Sequence, residues 1–117
     1  MNNMLRTWVE NIRNNNVNQV VELYHDNGLL LGTFSNIERY GKELITNYFE
    51  NLLQSEIDVE IITEHEHKTD SIIVISGHYN FKVDGKIIEA RYSFVFVKTL
   101  DSWKILSHHS SELPKKL

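Results

Sequence analysis

The densest polar chemistry of this 117-residue chain is the run His108-His109-Ser110-Ser111 near its C-terminal end. Side chains alternate between the two faces of a strand, so His109 and Ser111 are predicted to share a face with Ile105. An imidazole facing a pocket could donate a hydrogen bond or act as a general base, held by Ser111 or by a tyrosine hydroxyl. The alternative is a structural histidine near a strand end. We predict His109 as the candidate catalytic residue and place His108 at an interface.

Two arginines could bind an anion. Arg91 lies in the middle of a predicted strand among apolar residues, where a charge needs a partner. Either Glu89 or Glu60 pairs with it, or Arg91 anchors an anionic group such as a carboxylate. Arg39 precedes the third predicted helix and is a surface charge by default.

Aromatic residues could line a pocket, although residues at these spacings are more often part of a core. The candidates are Trp8, Tyr48, Tyr79 and Tyr92.

His65 and His67 would share a strand face, but no third metal ligand is evident, so we predict no metal and no cofactor.

Composition excludes several classes of protein. The chain has 12 Lys and Arg against 16 Asp and Glu, for a net charge of −4, and it has no cysteine. The absence of a basic run argues against nucleic-acid binding, and no apolar run approaches the ~20 residues of a membrane span. Without cysteine there is no disulfide framework or thiol nucleophile. These features favour one soluble, cytoplasmic domain over residues 1–117.

The hydrophobic pattern predicts helices first and strands afterwards. Three amphipathic helices are expected over residues 4–12, 17–24 and 41–52, and a turn over 25–28 leads into a short strand at 29–31. A four-strand antiparallel meander follows over 59–64, 72–82, 87–98 and 103–111, with a hairpin turn at Asp84-Gly85. The fold class is α+β. Long strands coil, and Gly77 suggests a kink, so the sheet is expected to curve around a pocket covered by the helices.

The strands at 72–82 and 87–98 are apolar in both phases of the alternation. A sheet with one solvated face would show apolar residues in one phase only. One face could therefore cover the helices and the other a second copy of the chain. We predict self-association through the sheet.

Three segments carry a resemblance to a known family: LYHDNGLLLGTFSN at 23–36, ARYSFVFVK at 90–98 and DSWKILSHHSSELP at 101–114. Together they resemble the NTF2-like superfamily, and within it the small bacterial proteins related to SnoaL-like domains and to the association domain of calcium/calmodulin-dependent protein kinase II. The resemblance implies a cone-shaped α+β barrel, with N-terminal helices packed on a strongly curved antiparallel sheet, a pocket, and dimers or larger rings.

Function varies widely on this fold. Catalytic members place an aspartate in the pocket, whereas the aspartates here lie in or beside turns or at a strand start, which argues against that chemistry. The kinase hub lines its pocket with arginines, for which Arg39 and Arg91 are available. The leading expectation is a small-molecule-binding homo-oligomer with a pocket between the sheet and helices one and three. Its predicted lining is His109, Arg91, Arg39, Tyr79, Ser111, Tyr48 and Trp8.

The arginines would allow the ligand to be anionic. Two alternatives stay open. One is an enzyme of the SnoaL or ketosteroid-isomerase type, in which His109 transfers a proton. The other is an oligomerisation module with no ligand.

Overall fold

A computed structural model describes residues 1–115 of the chain. The helices are α1 (Asn3–Arg13), α2 (Val17–Glu22) and α3 (Lys42–Leu52). The strands are β1 (Tyr24–Leu31), β2 (Arg39–Tyr40), β3 (Ile57–Ile61), β4 (His65–Lys68), β5 (Ile72–Val83), β6 (Lys86–Lys98) and β7 (Trp103–Glu112).

The strands form one curved, unclosed sheet in the order β2-β1-β7-β6-β5-β3, and β4 pairs with the other end of β5. The predicted antiparallel meander is present, but β1 runs parallel to β7, which makes the sheet mixed. The α+β fold class with N-terminal helices on a curved sheet is confirmed.

The two N-terminal helices begin at asparagine caps. The side chain of Asn2 accepts hydrogen bonds from the backbone of Met4 and Leu5, and Asn16 accepts one from Gln19 as the sequence predicts. These caps satisfy backbone N–H groups that have no partner within the helix. The buried face of α1 consists of the residues at helical spacing, Leu5, Trp8, Val9 and Ile12.

The hairpin between β5 and β6 turns at Asp84 and Gly85, whose φ angles of 48° and 85° suit the two-residue turn that was predicted. Gly77 lies where β3 gives way to β4. Both Ile62 and Thr63 donate backbone hydrogen bonds to the carbonyl of His78 there. A Cβ at Gly77 would lie 2.2 Å from the Thr63 carbonyl oxygen, so glycine is required for this close approach.

The predicted turn at 25–28 is wrong. These residues lie within β1, where the pairing register with β7 shifts between Tyr24 and Leu29. The turn-forming residues are accommodated as an irregularity in the strand, and the chain does not reverse there.

The space between the sheet and the helices is filled by side chains. Trp8 stacks on Tyr79 with ring centroids 6.0 Å apart and meets the edge of Phe94 at 5.1 Å, and Tyr79 stacks on Tyr92 at 4.5 Å. The pocket expected between the sheet and helices α1 and α3 is therefore occupied by aromatic rings in the described structure. Among residues 1–115, no helix is long and apolar enough to cross a membrane.

Candidate functional site

The last strand contains an extra residue that decides which histidine faces inward. In the pairing of β6 with β7, Phe96 lies opposite Ile105 but Val95 lies opposite Ser107, so Leu106 has no partner. The alternation changes phase at this bulge. Ile105 and His108 both face the interior, and His109 is exposed. The expectation that His109 points into the barrel is therefore wrong, because it extended the phase of Ile105 through the bulge.

His108 is the histidine of the interior and is 2% exposed. Its ring lies flat against Phe94, with centroids 3.9 Å apart, and meets the edge-on ring of Trp8 at 5.3 Å. The Tyr24 hydroxyl lies 2.8 Å from Nδ1, and the Tyr79 hydroxyl lies 3.2 Å from Nε2. Both ring nitrogens are therefore occupied by neutral hydroxyl groups.

Further hydrogen bonds extend this arrangement in both directions. Trp8 Nε1 donates to the Tyr24 hydroxyl over 3.2 Å, and the Tyr79 hydroxyl donates to Ser110 Oγ. Ser110 Oγ lies 2.6 Å from Thr33 Oγ1. We call these six residues the interior hydrogen-bond chain: Trp8, Tyr24, His108, Tyr79, Ser110 and Thr33.

Burial keeps the titratable residues of the interior hydrogen-bond chain neutral. Desolvation, and next the charge of His109, lower the pKa of His108 from 6.5 to about 3. Desolvation likewise raises the pKa of Tyr24 and of Tyr79 well above 10. None of these three groups changes charge near neutral pH. The interior therefore offers hydrogen bonds but no general base poised for catalysis at that pH.

Arg39 and Tyr48 lie together, and neither is a member of the interior hydrogen-bond chain. Arg39 donates from Nε to Ser35 Oγ over 3.0 Å and from Nη1 to Asn47 Oδ1 over 3.2 Å, and its guanidinium lies 5.9 Å from the Tyr48 ring centroid. Tyr48 is buried, which raises its pKa to about 12. Its ring packs so close to Gly32 that a Cβ there would lie 2.5 Å from it. Arg39 therefore fastens the β1–β2 connection to α3.

Arg91 is exposed on the face of the sheet that points away from the helices. Its cross-strand neighbours are His78 on β5 and Ser111 on β7. Neither of the predicted ion pairs, with Glu89 or Glu60, forms within residues 1–115. The structure thus separates Arg91 and Ser111 from the interior that holds Trp8 and Tyr79.

A surface groove of about 320 Å³ lies where the β1–β2 connection passes the end of β7. The buried Ser110 and the half-buried Thr33, both members of the interior hydrogen-bond chain, line it, as do His109 and Ser111. We call it the Thr33 groove. Its lining is Leu31, Gly32, Thr33, Ser35, Asn36, Ile37, Glu38, His109, Ser110, Ser111 and Glu112.

The histidine pair on β4 is exposed, and the described residues contain no group of three potential ligands that could hold a metal ion. His65 and His67 thus remain solvated strand residues.

The outer face of the sheet carries a branched aliphatic patch that none of the helices in residues 1–115 covers. Ile72 lies opposite Val97 and Val74 lies opposite Val95, so these two pairs follow each other on one face of the β5–β6 ladder, and the unpaired Leu106 of β7 lies beside them. These residues are half-buried or exposed, whereas their neighbours in the other phase are buried beneath the helices. We call Ile72, Val74, Val95, Val97 and Leu106 the outer patch.

Sequence reasoning missed Tyr24, Thr33, Ser110 and the inward orientation of His108. A regular register would have turned His109 inward, and no glycine or proline marks the bulge at Leu106.

The fold and sequence are similar to those of known proteins. The SnoaL-like domain family matches residues 1–115. A candidate calcium/calmodulin-dependent protein kinase II association domain from Xanthomonas campestris is 34% identical, with a TM-score of 0.90, covering 97% of this chain and 85% of that one. No curated protein matches the chain.

More distant structures share the fold alone. An NTF2-like protein of unknown function from Pseudomonas putida is 12% identical, with a TM-score of 0.86, over 97% of this chain and 84% of that one. A candidate ketosteroid isomerase from Parabacteroides distasonis is 18% identical, with a TM-score of 0.80, over 94% of this chain and 85% of that one. The family match over residues 1–115 and the 34% identical relative lead to one conclusion: the chain belongs to the SnoaL-like domain family, and it shares its fold with NTF2-like proteins.

Proposed function

We propose that this protein is a self-associating domain and that two copies meet through the outer patch. The observation that carries the proposal is the pairing of Ile72 with Val97 and of Val74 with Val95 on the uncovered face of the sheet. A contiguous group of branched aliphatic side chains on a surface marks an interaction site, because burying it releases about 25 cal/mol for each Å² of apolar surface.

The surroundings of the outer patch suit a protein partner. Ser76 and Ser93 form the pair that follows Val74 and Val95 on the same face of the sheet, and their hydroxyl groups hydrogen-bond to each other over 2.8 Å. These hydroxyls already have a partner and can enter an interface at small cost. Further along, Arg91 and His78 provide a polar border. An apolar centre with a polar rim is the usual anatomy of an interface.

A second copy is the partner we infer, for two reasons. The sequence places apolar residues in both phases of β5 and β6, as expected for a sheet covered on both sides. The 34% identical relative from Xanthomonas campestris is named as a candidate association domain, which supports the same role here.

Proton-transfer catalysis has less support. The side chains that would surround a substrate fill the interior, and His108 is neutral with both nitrogens hydrogen-bonded. His109, the predicted catalytic group, is exposed. The isomerase-type alternative would need a rearranged interior before a substrate could enter.

Sedimentation equilibrium of the wild type and of two lysine variants tests the proposal. The wild type should give at least twice the chain mass of 13.8 kDa at micromolar concentration. Val95→Lys places a charge in the outer patch and should shift the protein to the single-chain mass. Ile62→Lys makes a matched change at a residue that is 49% exposed outside the patch, and it should leave the mass unchanged. A single-chain mass for the wild type, or an undiminished mass for Val95→Lys, would contradict the proposal.

A further inference from the structure

The interior hydrogen-bond chain has a fixed direction. Trp8 Nε1–H can only donate, so Tyr24 accepts from it. Tyr24 is fully buried, and the only acceptor recorded for its own proton in residues 1–115 is His108 Nδ1. A buried hydroxyl that lacks an acceptor is costly, so Tyr24 donates to Nδ1. The neutral imidazole then carries its proton on Nε2.

The same reasoning continues towards the surface. His108 Nε2–H donates to the Tyr79 hydroxyl, which donates in turn to Ser110 Oγ. Ser110 is 3% exposed, and Thr33 Oγ1 is the remaining partner for its proton. Thr33 is therefore an acceptor towards the interior, and its own hydroxyl proton is not used by the interior hydrogen-bond chain. Thr33 also lines the Thr33 groove, where that proton can serve a ligand.

The rest of the Thr33 groove has a definite chemical character. Its lining includes two acidic residues, Glu38 and Glu112, the amide residue Asn36, and the apolar residues Leu31 and Ile37. No lysine or arginine lines the groove in the part of the chain that the structure describes. A site with two carboxylates and no fixed cation disfavours anions and favours a positively charged group.

We propose that the Thr33 groove binds a small organic cation that also carries hydroxyl groups, such as an amino sugar or another amino polyol. The Thr33 hydroxyl donates to an oxygen of the ligand, and the carboxylates of Glu38 and Glu112 receive its ammonium group. This site is separate from the proposed self-association, because no residue of the outer patch lines the groove.

The ligand that this chemistry selects differs from the one that the sequence suggested. The sequence allowed an anion because of Arg39 and Arg91. In the structure Arg39 is engaged by Ser35 and Asn47, and Arg91 lies on the outer face. Neither arginine is among the residues that line the groove, although Arg39 bonds to one of them, Ser35. The charged side chains of the lining are therefore the carboxylates of Glu38 and Glu112, which favour a positively charged ligand.

Three probes separate the contributions of charge and hydroxyl groups in an NMR titration of the labelled full chain. Glucosamine has both, glucose lacks the charge, and cyclohexylammonium lacks the hydroxyls. We expect saturable shifts of backbone amides in residues 31–38 with glucosamine. Glucose and cyclohexylammonium should each bind about fivefold to tenfold more weakly than glucosamine, because each loses one polar contact.

Two sets of variants assign the contacts. Thr33→Val should remove the preference for glucosamine over cyclohexylammonium, whereas Thr33→Ser, which keeps the hydroxyl, should retain it. Because Thr33→Val could disturb the fold through Ser110, Glu38→Gln at an exposed position gives an independent test. It should weaken glucosamine but leave glucose unchanged.

The proposal is overturned if glucosamine produces no saturable shifts in residues 31–38. It is also overturned if gluconate, an anion of similar size, binds as tightly as glucosamine, or if Glu38→Gln weakens both sugars equally.

Discussion

Phe94 and His108 lie face to face across the β6–β7 pair, with ring centroids 3.9 Å apart and ring planes inclined by 15°. One face of the imidazole is thereby covered by an apolar ring, and its two nitrogens meet tyrosine hydroxyls. A positive charge would be desolvated in this position without a carboxylate to balance it. The neutral imidazole is therefore an integral part of the core.

The first prediction concerns the tautomer of His108. At pH 7 the ring should be neutral with its proton on Nε2, since Tyr24 donates to Nδ1. ¹⁵N chemical shifts of the imidazole nitrogens distinguish the two neutral tautomers and the charged form. The exposed His109 provides a reference in the same spectrum. A proton on Nδ1, or a charged ring at pH 7, would contradict the direction assigned to the hydrogen bonds of the interior hydrogen-bond chain.

The second prediction is a pH dependence of stability. The pKa of His108 falls from 6.5 to about 3 on folding, so between these values the unfolded chain binds a proton that the folded chain does not. The stabilisation is complete above pH 6.5 and is lost as the pH falls towards 3. The contribution of His108 to the slope approaches about 1.4 kcal/mol per pH unit well inside this window.

Urea unfolding between pH 4.5 and 7 measures this slope. His108→Gln should be less stable at pH 7 but should show a flatter dependence than the wild type, because the titrating group is gone. His67→Gln removes an exposed histidine on β4 and should preserve the wild-type slope. Equal slopes for the wild type and His108→Gln would show that His108 titrates normally in the folded protein.

The third prediction tests the middle of the interior chain. Tyr79→Phe removes the hydroxyl that joins His108 Nε2 to Ser110 and leaves buried donors and acceptors without partners. We expect a loss of about 1–3 kcal/mol in the free energy of unfolding. Tyr40→Phe makes the same change at a residue that is 62% exposed, and it should change stability by less than about 0.5 kcal/mol. Similar losses for both variants would mean that the buried hydroxyl has no special role.

The fourth prediction concerns the close approach of the Thr63 backbone to Gly77 on β5. Gly77→Ala would bring a methyl group to 2.2 Å from the Thr63 carbonyl oxygen, and both partners are backbone. The strand must shift, and we expect a destabilisation of about 1–3 kcal/mol in thermal or urea unfolding. Asn80→Ala, at a half-buried position on the same strand, serves as the control. A neutral Gly77→Ala would show that the segment between β3 and β4 adjusts freely.

The sequence predicted the parts of the fold that depend on local patterns. The asparagine cap at Asn16 and the Asp84-Gly85 hairpin each follow from the conformational preferences of one or two residues. The apolar residues in both phases of β5 and β6 likewise marked the outer patch.

The site was harder to predict because it depends on register. Because Leu106 is unpaired, His108 faces the interior and His109 faces outward, the reverse of the prediction. No residue type near Leu106 in the sequence indicates this bulge. Whether aromatic side chains leave a cavity also depends on how rings from α1, β5 and β6 pack together. Trp8, Tyr79 and Phe94 fill the space that the curvature of the sheet alone would have left open.

Solvent accessibility of methyl groups in the wild-type protein tests the proposed self-association most directly. A soluble paramagnetic agent broadens methyl signals in NMR spectra in proportion to their exposure. If copies meet through the outer patch, the methyl groups of Val74 and Val97 should be shielded almost as well as those of Val59, which is 1% exposed in the single chain. In Val95→Lys they should become accessible. Wild-type signals of Val74 and Val97 that broaden like those of the exposed Ile62 would contradict the proposal.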